Sequence, residues 1–153
     1  MIKIENIDES ENPVGYATLR AMLHRRAAPS LFQDGVADSL IKYSGGHPRD
    51  LLRLVQSAFS FAEGSRFDLA STDRAVAQLA SDYRRILDPE DYELLVRVDQ
   101  SPNDPAHSDR ARHLLYNLAL LEYNNYYWRS HPVIRTSAAY HTARVNLRQS
   151  LDE

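Results

Sequence analysis

The stretch Ser44-Gly45-Gly46-His47-Pro48-Arg49-Asp50-Leu51-Leu52 decides how this chain is organised. Its two glycines end one helix in the manner of a C-terminal cap, and Pro48 is tolerated in the first turn of the next helix. This spacing places Arg49 in that first turn. A guanidinium offers a fixed fork of donors to phosphate oxygens, and a helix N-terminus already favours anions. An arginine held in this position can reach a phosphate group.

The composition sets the outer limits of what the chain is. Its 153 residues fit one domain of ordinary size or two small ones. No segment approaches the run of about 18 apolar residues that a membrane span requires. The alternating, acid-containing start at residues 1–7 is unlike a signal or transit peptide, so we expect a cytoplasmic protein with no membrane partner. The absence of cysteine excludes disulfides and thiolate sites.

Apolar residues recur at helical spacing along most of the chain, which predicts a mostly α fold. The first expected helix begins near Tyr16. Further helices are expected over residues 31–43, 48–63, 72–87, 89–98, 108–121 and 132–151. Residues Leu121–Arg129 have the aromatic enrichment of strands, and Asn124-Asn125 stands where a tight hairpin turn is expected. Helix, turn, helix and hairpin in this order predict a winged helix.

The same pattern divides the chain into segments. We expect an extended lead or short strand over residues 1–12, where Ile2, Ile4 and Ile7 are apolar. A helical subdomain over residues 13–64 follows, then a polar linker over 65–70, and then a winged-helix-like subdomain over 71–151.

Two parts of the chain resemble segments of known ATPases. Residues 15–63, centred on the glycine–proline–arginine stretch, resemble the helical lid that follows the nucleotide-binding core in AAA+ and STAND-type P-loop ATPases. The run Leu114–Tyr123, with Trp128 and His131-Pro132 after it, resembles the winged helix that often follows that lid. The resemblance implies a mostly α fold, in which a helical lid subdomain precedes a winged-helix subdomain with a small β-hairpin.

The resemblance also assigns roles to the stretch around Arg49. It makes Arg49 the sensor-2-like arginine, which contacts the γ-phosphate of ATP from the lid side. The residues it implies to lie near the nucleotide are Gly45, Gly46, His47 and Pro48. The alternative for Arg49 is a solvated side chain paired with Asp50 or with a neighbouring acid.

The resemblance is incomplete, because the nucleotide-binding core has no counterpart in this chain. No G-x-x-x-x-G-K-[ST] loop occurs in the sequence, and the Walker B acids are absent too. The resemblance therefore implies a P-loop core N-terminal to this chain, whose last strand would be the lead at residues 1–12. ATP with Mg²⁺ would bind in the complete protein, and the isolated chain is expected neither to bind a cofactor nor to hydrolyse ATP.

The winged-helix part has candidate contacts with DNA or with a protein partner. Arg110, Arg112 and His113 lie at the start of the candidate recognition helix, and Arg129 lies on the candidate wing. The net charge of −3 argues against a broad nucleic-acid-binding surface. Two alternatives to the ATPase interpretation stay open: a free-standing winged-helix DNA-binding protein, and a non-catalytic adaptor.

Independent catalysis has little support in the sequence. The six histidines include no H-E-x-x-H motif or other metal-ligand spacing, so we predict no metal site. The carboxylates are scattered, and no serine or threonine lies in a nucleophile motif.

Overall fold

The secondary structure of the protein is seen in a computed structural model, which describes residues 1–6, 8–104, 107–123 and 127–150. Within these residues the fold is mostly helical, as predicted, with seven α-helices and a two-stranded antiparallel hairpin. The helices are α1 (Pro13–His24), α2 (Val36–Tyr43), α3 (Pro48–Phe61), α4 (Leu69–Arg84), α5 (Pro89–Gln100), α6 (Asp109–Tyr116) and α7 (Ala138–Gln149). The strands are β1 (Leu120–Tyr123) and β2 (Tyr127–Ser130). None of the described helices is long and apolar enough to cross a bilayer.

The chain forms two compact units, Met1–Leu79 and Ala80–Glu153, and the division between them falls inside α4. Residues 65–70, where the sequence suggests a linker, lie inside the first unit. The ring of Phe67 is buried and stacks on that of Phe32, with 4.8 Å between the ring centroids. The Phe67 backbone also bonds on both sides, since its N–H donates to the Leu31 carbonyl at 2.7 Å and its carbonyl accepts from the Gln33 N–H. These contacts fasten the segment to the body of the unit.

The first unit is built on α1, α2 and α3, whose apolar faces meet in its core. The largest fully buried side chains of these helices are Leu19, Leu23, Leu40, Ile41, Leu51 and Leu54. The helix expected over 31–43 starts later than predicted. A 3₁₀ turn at Pro29–Leu31 comes first, Phe32 is extended, and Gly35 adopts φ 79° immediately before α2. A left-handed residue cannot continue a right-handed helix, so α2 begins at Val36.

The lead at residues 1–12 does not form a regular strand within the described residues. It folds back on itself instead, with one isolated antiparallel bridge between Glu5 and Glu11. Ile7, one of the three apolar residues that suggested a strand, lies outside the described residues. Asn12 ends the lead and caps α1, because its side-chain oxygen accepts the Gly15 N–H at 3.1 Å.

The second unit contains the end of α4, then α5, α6, the hairpin and α7. Helix α5 starts as the sequence predicts, since Asp88 precedes Pro89 and the Asp91 side chain accepts the Asp88 N–H at 2.8 Å. The hairpin pairs Leu120 with Ser130 and Tyr123 with Tyr127. Its predicted Asn124-Asn125 turn lies outside the described residues. The expected closing helix is preceded by a 3₁₀ turn at Ile134–Thr136 and starts at Ala138.

Candidate functional site

The glycine turn, residues 44–47, joins α2 to α3 and positions the candidate site. Gly45 and Gly46 have φ 62° and 78°, in the left-handed region that side chains disfavour. Ser44 is fully buried; its hydroxyl donates to the Ile41 carbonyl at 2.7 Å and accepts the Gly46 N–H at 3.2 Å. The His47 N–H donates to the Ser44 carbonyl at 3.0 Å. These hydrogen bonds within residues 41–47 contribute to the conformation of the turn.

His47 caps the N-terminus of α3. Its backbone is extended, and its Nδ1 accepts the Asp50 N–H over a long 3.4 Å. The same Nδ1 lies 3.6 Å from the Asp50 Oδ2, a distance that suits an ion pair if the ring is protonated. A nitrogen that accepts a hydrogen bond cannot carry a proton, however, and burial lowers the pKa of His47 more than Asp50 raises it. We therefore assign a neutral ring to His47 at pH 7.

Asp50 and Arg49 lie side by side in the first turn of α3 but have opposite surroundings. The Asp50 side chain is buried, and its carboxylate meets the Arg53 guanidinium at 3.4 Å. Arg49 is exposed, and within the described part of the chain its guanidinium has no hydrogen bond or ion pair. The suggested alternative, a pair between Arg49 and Asp50, is not present among these contacts. The Arg49 donors are thus open to a ligand at the N-terminus of α3.

The His47 cap gives a prediction about pH. Because the folded state lowers the pKa of His47 below the unfolded value of 6.5, the unfolded chain binds the extra proton as the pH falls through this window. The stability that the neutral cap contributes is fully present above the unfolded pKa of 6.5 and is lost as the pH falls through the lowered pKa of the folded state. His47→Asn keeps a good cap that does not titrate. We expect urea unfolding to show a smaller loss of stability on acidification from neutral pH in His47→Asn than in the wild type. Parallel pH profiles would contradict this assignment.

In the second unit, Arg110 is held between two acids of α5. Its guanidinium donates to Asp91 Oδ1 at 2.6 Å and to Glu90 Oε2 at 2.8 Å. The hydrogen bond to Asp91 is the main reason that the pKa of Arg110 is raised. These bonds join α6 to the start of α5, so Arg110 already has two anionic partners.

Arg129, the candidate contact on the wing, is a buried residue of β2. Its Nε lies 3.5 Å from Asp99 Oδ1, and its Nη1 donates to the Asp99 carbonyl at 3.2 Å. Asp99 also accepts the Ser130 N–H at 2.9 Å, the Ser130 hydroxyl, and the Tyr140 hydroxyl at 2.6 Å. Burial, followed by the charge of Asp99, raises the pKa of Tyr140. Asp99 thus joins α5, β2 and α7, and the interior position of Arg129 keeps it away from a DNA backbone.

Asp99 was not predicted from the sequence, because its hydrogen-bond partners lie 30 to 41 residues further along the chain. The one available signal is a single acid at the end of an amphipathic helix, which is commonly a solvated residue. The position of Asp99 in the fold is what gives it its role.

The exposed face of α6 carries the other predicted contacts. Arg112 is paired with Asp109, and both side chains are exposed. The His113 ring approaches the Asn117 amide at 3.0 Å. Beside them Tyr116 is 88 % exposed, more than any other large hydrophobic residue of the described chain. This face combines an aromatic ring with charges of both signs, which suits contact with a protein better than contact with a uniformly anionic duplex.

Within the described ranges, no group of three or more histidine, aspartate or glutamate side chains is arranged to hold a metal ion. No protein-family model, curated protein or solved structure matches the chain.

Proposed function

We propose that this chain is the nucleotide-sensing and regulatory part of a P-loop ATPase of the AAA+ or STAND type. Residues 13–64 are assigned to a helical lid subdomain and residues 71–151 to a winged-helix subdomain. The P-loop core, which would bind Mg²⁺ and carry out ATP hydrolysis, belongs to another part of the complete polypeptide. The chain on its own is proposed to be non-catalytic, and its lack of cysteine fits a cytoplasmic location.

One observation carries the proposal: Arg49 is exposed at the N-terminus of α3 and has no hydrogen-bond or ion-pair partner among the residues that the structure describes. Its neighbour Asp50 is engaged by Arg53 instead. A guanidinium in this position adds directed donors to the positive end of a helix dipole, and together they favour the terminal phosphate of ATP. A phosphate that reaches Arg49 from the core would draw the lid toward it, which is hinge closure around a ligand.

We assign the winged-helix subdomain to docking of a protein partner. Arg110 is bonded to two acids and Arg129 is buried against Asp99, so two of the four candidate DNA contacts serve the fold. Arg112, His113 and the exposed Tyr116 stay available on α6. DNA binding remains the alternative to this docking role, and it predicts duplex affinity that falls steeply with salt.

The phosphate contact is tested with the chain itself. We expect MgATP to shift the backbone amide signals of Gly46, His47, Arg49 and Asp50 in NMR spectra, with an affinity of about millimolar, since only one half of the site is present. Arg49→Ala removes charge-assisted hydrogen bonds and should weaken this binding by about tenfold or more. In a polypeptide that joins this chain to a Walker A core, the same change should lower ATP turnover.

Arg25→Ala is the matched control, because Arg25 is also exposed and lies outside the glycine turn. Arg25→Ala should leave the affinity for MgATP unchanged. Arg49→Lys should bind MgATP more tightly than Arg49→Ala does, because it keeps the positive charge. An equal response to sulfate at the same ionic strength would mean that Arg49 reads charge and not nucleotide. If Arg49→Ala binds MgATP like the wild type, Arg49 has no part in nucleotide sensing.

A further inference from the structure

The glycine turn is held from outside by the start of the chain. The Ile2 N–H donates to the Gly46 carbonyl at 2.9 Å. In return, the Ile2 carbonyl oxygen lies so close to Gly46 that an added Cβ would overlap it, and the same Cβ would stand 3.4 Å from a methyl group of Ile4. Only a glycine allows the two backbones this approach.

A second glycine, Gly15 of α1, lies in close contact with the same N-terminal segment. A Cβ added to Gly15 would overlap the Lys3 carbonyl oxygen and stand 3.3 Å from the Ile4 Cα. The Ile2 and Lys3 carbonyls thus face two different glycines, one in the glycine turn and one in the first turn of α1. We call residues 2–4 the strap.

The C-terminal end of the strap, Ile4, is also held in place. Ile4 is buried, and its carbonyl accepts the Asn12 N–H at 2.8 Å. Asn12 is the residue that caps α1. The strap thus connects the N-terminus of α1 to the turn that precedes Arg49, with backbone contacts on each side.

We propose that the strap sets the conformation of the glycine turn, so that the phosphate-sensing end of α3 and the segment that precedes α1 move as one coupled element. The reference to phosphate sensing rests on the proposed function, but the coupling itself does not. A displaced strap removes the Ile2 bond from Gly46, one residue before the His47 cap and three before Arg49. Conversely, a turn rearranged by a ligand at Arg49 must shift the strap.

Gly15→Ala tests the coupling from a distance, because Gly15 touches the strap and lies outside the turn. We expect the amide of Ile2 to exchange with solvent at least about tenfold faster in this variant. The amide signals of His47, Arg49 and Asp50 should move as well, and the Asp50 amide, which bonds to the His47 ring, should exchange faster. Gly64→Ala is the control, since a Cβ at Gly64 meets nothing within 4 Å; it should leave all these signals in place.

Gly46→Ala and Gly35→Ala form a second matched pair. Their φ angles of 78° and 79° impose the same backbone strain, but a Cβ at Gly35 meets nothing within 4 Å. The Ile2 amide should therefore be released in Gly46→Ala and stay protected in Gly35→Ala. Should Gly15→Ala prevent folding, Ile4→Ala loosens the strap without an overlap and should move the same signals to a smaller extent.

Two results would overturn the proposal: release of the Ile2 amide in Gly15→Ala without any change at residues 47–50, or no release at all. The first would leave the strap as a purely stabilising contact. All these readings are taken without nucleotide, so they stand even if Arg49 proves to bind no phosphate. If both proposals hold, Gly15→Ala should also weaken MgATP binding several-fold, whereas Gly64→Ala should not.

Discussion

Asp99→Asn is expected to lower the free energy of unfolding of the second unit by about 3 kcal/mol, because removing one partner of a buried ion pair leaves the other charge uncompensated. The substitution preserves the shape of the side chain and removes its negative charge. Arg129, 6 % exposed at the side chain, then stays buried beside a neutral amide. Ser130 and Tyr140 also lose a charged acceptor. Trp128, the only tryptophan and a neighbour of Arg129 in β2, reports the loss through its fluorescence during urea unfolding.

Asp109→Asn is the control for this measurement, because it removes the same charge from an ion pair whose side chains are both exposed. Its effect should stay within about 0.5 kcal/mol. The double variant Asp99→Asn/Arg129→Met should recover part of the loss, since it removes both charges together. Similar stabilities for Asp99→Asn and Asp109→Asn would show that Asp99 does not hold the hairpin to α5 and α7.

Leu51→Ala is expected to destabilise the first unit by about 2–5 kcal/mol, the usual effect of removing a fully buried leucine side chain. Leu51 is 0 % exposed and follows Asp50 in the helix that carries Arg49. Because α3 packs on α2 through this face, the cavity loosens the two helices on either side of the glycine turn. Urea unfolding followed through the NMR amide signals of α3 measures the effect in this unit.

Leu52→Ala makes the same chemical change one position along, where the side chain is only partly buried. Its cost should be about 1 kcal/mol, in proportion to the smaller apolar area removed from contact. If Leu52→Ala costs as much as Leu51→Ala, the assignment of the buried face of α3 is wrong.

Local signals made much of the fold predictable. Pro48 and Pro89 mark the starts of two helices, and both begin where expected. The aromatic run that includes Trp128 forms the predicted hairpin. The late start of α2 was not predictable from periodicity, because Phe32 fits a helical face as well as it fits the extended segment that it adopts beside Phe67. The contact of Phe32 with Phe67, 35 residues away in sequence, decides the conformation of Phe32.

The candidate site divides in the same way. The place of Arg49 in the first turn of α3 follows from Gly45-Gly46 and Pro48, which are neighbours in sequence. The ion pair between Asp50 and Arg53 also lies within one turn of helix. The burial of Asp50, however, depends on how the whole first unit packs. Burial of Arg129 against Asp99 and the approach of Ile2 to Gly46 join distant residues, and no local pattern encodes them.

Left-handed glycines flank α2, with Gly35 before the helix and Gly45 and Gly46 after it. The surroundings of Gly35 and Gly46 place different constraints on substitution. Gly35 lies in open space, so asparagine or aspartate, which tolerate this conformation, can replace it as a lineage drifts. Gly46 has the Ile2 backbone against it, and every side chain begins with the Cβ that this neighbour excludes. Descendants of this chain can therefore change the start of α2 gradually, whereas they can change its end only together with the strap.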